Sequence, residues 1–221
     1  MNRAIASIFL LLLLYPFTTF SKEQMQGDHV VVGKFSSNEL TGWNEEVFDK
    51  ETSYYLTEIN NEVVLKSLSN NSASGLFKKV TVDIKKYPYL NWRWRVEDRF
   101  SSMDETQKAG DDYVARIYVV VSGGFFFWRA KALNYVWSSR MEKEAIWPNA
   151  FSPDNTRMIA VRTAEDQIGI WYAEKRNVYE ELKAWVGDDV RTIDAIAIMT
   201  DTDNSGGQAT AFYGDIYFSK E

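Results

Sequence analysis

The stretch YLNWRWRVEDRF, residues 89–100, alternates large apolar and polar side chains without a break through its first eight positions. Successive side chains of an extended chain point to opposite faces. Leu90, Trp92, Trp94 and Val96 therefore share one face, and Asn91, Arg93, Arg95 and Glu97 the other. The apolar face belongs in a core, because leaving it wet would forfeit roughly 1.5–3 kcal/mol per large side chain. Segments of similar length recur along the chain: VVVGKF, SYYLTEI, EVVLKSLS, GLFKKVTVDI, YVARIYVVVS, RMIAVRT, QIGIWYAEKR, DAIAIMTDT and TAFYGDIYFS. Polar turns separate them, with no repeat, low-complexity stretch or linker to mark a second domain. This pattern predicts an all-β protein, a β-sandwich of jelly-roll type formed by residues 22–221 as a single domain. The 221 residues, 45% of them hydrophobic, suffice to fill its core.

One helix is expected, near residues 178–186. Asn177 is a suitable N-cap with Glu180 three residues on, Val178, Glu181, Leu182 and Trp185 share a face, and Gly187 can end the helix. At the other end of the chain, Arg3, the apolar run AIASIFLLLLLYPF and the small residues around Ser21 read as a signal peptide over residues 1–21. Pro16 and the polar residues after it cut that run short of the roughly 20 residues a bilayer span needs. The expected product is periplasmic or secreted, without a stable membrane span after cleavage.

Several chemistries are excluded by composition. There is no cysteine, hence no disulfide framework, thiol nucleophile or lipid-bearing cysteine. The only histidine, His29, precedes the first long strand and lacks the partners that zinc sites or Ser-His machinery require. A net charge of −6 argues against nucleic acid or an anionic membrane as partner.

The polar strand faces point to a ligand. Alternation in DYVARIYVVVS turns Ala115, Ile117, Val119 and Val121 inward and leaves Arg116 and Tyr118 opposite them. In TAFYGDIYF, Phe212, Ile216 and Phe218 make one face and Tyr213, Asp215 and Tyr217 the other. If these strands lie in one sheet with residues 89–96, Arg93, Arg95, Arg116 and Tyr118 form a cationic and aromatic surface. Arginine forks pair with acidic groups and aromatic rings stack on sugars, which suits a glycan or another acidic or hydroxyl-rich ligand. Two loops are expected to add to it: residues 99–112, with Asp111 and Asp112, and the long aromatic stretch 123–155, with Asn134, Tyr135 and Trp137.

Asp201, Asp203 and Asn204 precede a Gly-Gly turn, which reads as a hairpin whose Asp and Asn side chains cap their own backbone; the alternative is a structural calcium ion, which this order of oxygen ligands would suit. No cofactor is expected. Asp104, Glu105, Asp111, Asp112, Asp201 and Asp203 would also serve a carboxylate-dependent glycan hydrolase or lyase. A third reading makes the stretch GGFFFWRAKALNYVW the contact surface for a protein partner in an envelope assembly.

The blocks YPYLNWRWRVED, DETQKAGDDYVARIYVVV, ALNYVWSS, AEKRNVYEELKAWVG and IDAIAIMTDTDNSGGQATAFYGDIYF resemble the family named domain of unknown function 3047, from about Phe35 to Phe218. That resemblance implies an exported bacterial domain without an assigned activity. More loosely, the strand order and the ending AFYGDIYF are similar to galactose-binding-like jelly rolls and carbohydrate-binding modules, which implies a glycan-binding fold.

Overall fold

The computed structural model describes residues 25–122 and 130–221. The leader expected at residues 1–21 lies outside the described residues, as does 123–129 of the long aromatic stretch. In chain order the strands are β1 (Met25–Gln26), β2 (His29–Gly33), β3 (Trp43–Asp49), β4 (Ser53–Ile59), β5 (Glu62–Asn70), β6 (Ala73–Asp83), β7 (Tyr89–Val96) and β8 (Arg116–Val121). They continue with β9 (Lys131–Trp137), β10 (Ile146–Pro148), β11 (Thr156–Arg162), β12 (Tyr172–Asn177), the helix α1 (Val178–Val186), β13 (Thr192–Asp201), β14 (Gln208–Tyr213) and β15 (Ile216–Ser219).

The strands build the expected β-sandwich of jelly-roll type. The first sheet has the order β1-β2-β15-β7-β14-β5-β4, with β12 also paired to β7; the second has the order β10-β11-β9-β8-β13-β6-β3. Between them, Trp92 and Trp94 are buried as the alternation of β7 requires. Trp92 stacks on Tyr135 of the facing sheet at 5.3 Å, meets Trp94 edge-on at 5.4 Å, and Trp94 lies 6.0 Å from Trp137. This aromatic column fastens the sheets together, at about 0.5–1.5 kcal/mol per ring pair beyond the area buried. The indole N–H of Trp94 donates to Glu174 at 3.0 Å, and that of Trp137 to the Thr163 carbonyl at 3.0 Å.

Helix α1 occupies the expected residues. Asn177 accepts the Glu180 N–H at 3.1 Å, and Val178 and Leu182 enter the core. Among the described residues no helix is long and apolar enough to cross a membrane.

Three expectations are corrected. The stretch 123–155 is not one irregular loop, since it contains β9 and β10. TAFYGDIYF is not one strand: the chain breaks at Gly214 and Asp215, whose carboxylate accepts from Ser36 N–H at 2.9 Å and Ser36 Oγ–H at 2.6 Å. The break shifts the parity, so Tyr213 joins Ile216 and Phe218 in the core while Phe212 faces outward beside Lys66 and Arg95. Finally, Arg93 and Arg95 sit on the first sheet and Arg116 and Tyr118 on the second, so they form no common face.

Candidate functional site

Polar side chains converge at one end of the outer face of the second sheet, and the loop before β8 brings them there. Glu105 anchors that loop: its carboxylate, buried among protein atoms, accepts from Ser138 Oγ at 2.7 Å, Ser139 N at 2.5 Å and Ser139 Oγ at 2.8 Å. Gly110 packs so closely that a Cβ there would stand 2.4 Å from the Asp104 carbonyl oxygen, a contact only glycine avoids. From this pinned loop Asp111 and Asp112 point into the centre.

The opposing wall is the end of β13. Thr200 and Thr202 turn into the sandwich, where their hydroxyls bond those of Ser67 at 2.7 Å and Ser69 at 2.8 Å across the two sheets. Alternation then throws Asp201 outward. Asp201 accepts the Tyr113 N–H at 3.2 Å and forms a hydrogen-bonded ion pair with Arg116. Asp111 lies 3.8 Å from the same guanidinium and accepts from Asn149 Nδ2 at 2.9 Å. Asp112 accepts from Asn204 N at 3.2 Å, Asn204 Nδ2 at 3.0 Å and Ser205 N at 2.5 Å.

Carboxylates outnumber cations here. Burial pushes Asp111 up to about 7, against the pull of Arg116 and Asn149. Burial likewise raises Asp201 well above the usual carboxylate range despite Arg116, and raises Asp203, with the Asp112 charge adding to the effect. The carboxylate oxygens of Asp112, Asp201 and Asp203 lie within 4.8 Å of one another, a spacing that hard cations accept. Asn204 joins the same group: its amide nitrogen donates to both Asp112 and Asp203, at 3.0 and 3.1 Å. The hydrogen bonds on Asp112 are those of a carboxylate capping the 202–207 turn.

Beyond Arg116 the outer face continues as a row in register. Tyr118 is opposite Asn134, Asn134 opposite Met158, and Met158 opposite Trp147. Ala197 lies beside Tyr118, and a neighbouring row sets Ala195, Val120, Ala132 and Thr156 side by side. Small side chains thus make a low floor beside taller polar ones. Arg116 and Tyr118 are 3% exposed and Asn134 is fully buried. Yet Arg116 Nε and Nη1, Asn134 Oδ1, Trp147 Nε1 and Thr156 Oγ1 find no hydrogen-bond partner among the described residues. Buried polar atoms left in this state cost about 1–3 kcal/mol each, and such a cluster points to a group that the described residues do not supply.

The structure thus gathers Asp111, Asp112, Arg116, Tyr118 and Asn134 with Asp201, Asp203 and Asn204. It excludes others from that centre. Tyr135 and Trp137 are on β9 as expected neighbours of Asn134, but alternation turns them into the inter-sheet core, where Tyr135 bonds Glu181 of α1. Tyr213 is also internal, donating to the Met199 carbonyl and accepting the Arg116 N–H, both at 3.2 Å. Sequence reading missed Tyr113, Trp147, Asn149, Thr156 and Met158. The stretch WPN at 147–149 carries a turn signal but nothing that says which face its side chains join.

No curated protein matches the chain in sequence. In structure it is similar to the family 30 carbohydrate-binding module of a cellulosomal cellulase from Clostridium thermocellum, with 10% identity, 87% of this chain and 98% of that chain covered, and a TM-score of 0.53. It also matches the family 11 carbohydrate-binding module of the same organism, in complex with a β-1,3-1,4-mixed-linked tetrasaccharide, with 10% identity, 86% and 95% coverage and a TM-score of 0.43. At 10% identity the likeness to the family 30 module is one of fold alone. A family model described as Protein of unknown function (DUF3047) matches residues 41–217, and the chain belongs to that family.

Proposed function

We propose that this protein binds a glycan in the enclosed polar face of the second sheet, as an exported single-domain module whose leader is residues 1–21. The observation that carries the reading is the aligned set of buried, unsatisfied polar atoms over an alanine floor. Sugar hydroxyls both donate and accept, so one ring can offer a hydrogen to Asn134 Oδ1 and an oxygen to Arg116 Nε. The Tyr118 hydroxyl, on the residue opposite Asn134, adds a group that can donate to or accept from the same sugar. The fold shared with a family 30 carbohydrate-binding module is consistent with this reading. Because the side chains are covered, the site suits a chain end or short oligosaccharide better than the middle of a polymer, and association should be slow. The test is a glycan array followed by calorimetry. Tyr118→Phe and Asn134→Ala should weaken any hit roughly tenfold or more, with thermal unfolding measured in parallel. A hit insensitive to both substitutions removes the site from this face.

A specific observation favours a second reading, hydrolysis or lyase cleavage of the same class of ligand. Asp111, pushed up to about 7, holds a proton near neutrality beside Asp201, and a protonated carboxyl is what a general acid requires. Release of new chain ends from a bound glycan, lost in Asp111→Asn, would support it; binding without release leaves a module.

A further inference from the structure

The outer face of the first sheet, on the opposite side of the sandwich, carries a different arrangement. Strand register places Tyr55 opposite Lys66, Lys66 opposite Phe212, and Phe212 opposite Arg95. With strands about 4.8 Å apart, this row crosses β4, β5, β14 and β7 over roughly 14 Å. Aromatic and cationic groups alternate along it. Lys66 Nζ lies 5.5 Å from the Tyr55 ring centroid and 5.7 Å from that of Phe212, and the Arg95 guanidinium lies 5.9 Å from Phe212. Beside the row, Arg93 rests 4.8 Å over the Trp171 ring. It lies flat on the sheet because Gly214 is beneath it: a Cβ there would come within 2.4 Å of Arg93 Nε and 2.6 Å of Cγ.

Unlike the Arg116 centre, this face is open. Tyr55 is 42% exposed, and the Arg93 and Arg95 side chains are 33% and 24% exposed. Arg93 pairs with Glu62, and Arg95 donates to Glu97 Oε1 from Nε and Nη2, both at 2.6 Å; these pairs are half-exposed and open to competition by solvent and salt, while Lys66 makes no ion pair among the described residues. Glu62 and Glu97 offset two of these three cations, which leaves Lys66, held between the Tyr55 and Phe212 rings, as the charge a polyanion would meet first.

We infer that this row is a second binding surface, one that takes an acidic polysaccharide laid across the strands. Its carboxylates would meet Lys66 and Arg95, displacing Glu97, while its sugar rings lie against Tyr55 and Trp171. Linearity and exposure favour an extended polymer over a small anion, and charge complementarity favours a polyuronate over a neutral chain. This surface is independent of the enclosed site proposed above.

The probe is polygalacturonate, with dextran as the neutral control, in affinity electrophoresis and calorimetry at low salt and at about 0.5 M salt. The wild type should bind the polyuronate and not dextran, and lose the interaction at high salt. Lys66→Gln combined with Arg95→Gln should weaken binding roughly tenfold or more at unchanged melting temperature. Tyr55→Ser, at an exposed position, should weaken it independently of any effect on the charges. Tyr118→Phe separates the two sites, since it reports the enclosed site and should leave polyuronate affinity unaltered. Failure of the wild type to bind at low salt would overturn the inference, as would binding indifferent to Lys66, Arg95 and Tyr55. Loss of polyuronate binding in Tyr118→Phe alone would move the polyanion to the enclosed site and equally overturn it.

Discussion

Arg116 shows how much one side chain can commit. Its guanidinium is 3% exposed, ion-paired with Asp201 and 3.8 Å from Asp111, and it lies 5.1 and 5.5 Å from the Tyr113 and Tyr118 rings. Removing it would leave Asp201 buried without its cation, and that is the costly half of breaking a buried pair. Arg116→Ala should therefore lower stability on the order of 3–5 kcal/mol in urea unfolding, and Arg116→Lys should recover only part of it because the fork geometry is lost. Unchanged unfolding in Arg116→Ala would show that the pair contributes nothing to the fold. Alternation alone identified Arg116 and Tyr118 as facing away from the core. It did not reveal that their face would be buried or that Asp111 would meet Arg116, because Asp111 is carried there by a loop whose path depends on contacts such as Glu105 with Ser138 and Ser139, residues more than thirty positions apart.

At the scale of the element, β7 was legible through its one polar face and β8 and β13 through their runs of Val and Ile, whereas β9 was not legible as a strand. β7 announces itself through Asn91, Arg93 and Arg95 between apolar neighbours, whereas β9 reads KALNYVW. Both faces of β9 are buried, Leu133, Tyr135 and Trp137 inward and Ala132, Asn134 and Val136 outward, so the period-two contrast that marks a half-buried strand is missing. Asn134 alone betrays the outer side. Helix α1, by contrast, was legible because capping chemistry is local: Asn177, Glu180 and Gly187 act within a few residues of each other. Asn177→Ala removes the acceptor of the Glu180 N–H and should cost about 1 kcal/mol, seen as a lowered denaturant midpoint at unchanged m-value. Since α1 also supplies Glu181 to buried Tyr135, a larger loss would show that fraying the first turn releases that contact as well.

For the whole molecule, the sandwich class followed from strand number and spacing, but the assignment of strands to sheets did not. Arg93 and Arg116 are equally plausible neighbours in a list of alternating strands; only the pairings of β7 with β12, β14 and β15, and of β8 with β9 and β13, send them to opposite sides. Gathering Asp111, Asp112, Asp201 and Asp203 at one end around a single arginine has a consequence for stability that belongs to the fold as a unit. Asp111 is pushed up to about 7 and Asp201 and Asp203 are raised, chiefly by burial, and Glu105 and Glu181 shift the same way for the same reason. A carboxyl whose folded pKa exceeds its unfolded value binds its proton more tightly when folded. Between the two values the folded state carries more protons, so stability is greatest below the unfolded value and declines as pH rises through the folded one. Asp28 and Asp104 are lowered, chiefly by hydrogen bonds from Lys220 and Thr106, and oppose this only as pH falls below their ordinary value of 3.8. The melting temperature should therefore fall as pH is raised from about 5 to about 8, the window set by Asp111 and its unfolded value. Asp111→Asn cannot titrate and should flatten the profile in that window while keeping the amide within reach of Asn149 and Arg116. A wild-type melting temperature that is level or rising over the same range would mean that the cluster keeps its charge when folded, with a bound cation among Asp112, Asp201 and Asp203 in place of protons. Added calcium would then raise the melting temperature, and a chelator would restore the fall with pH.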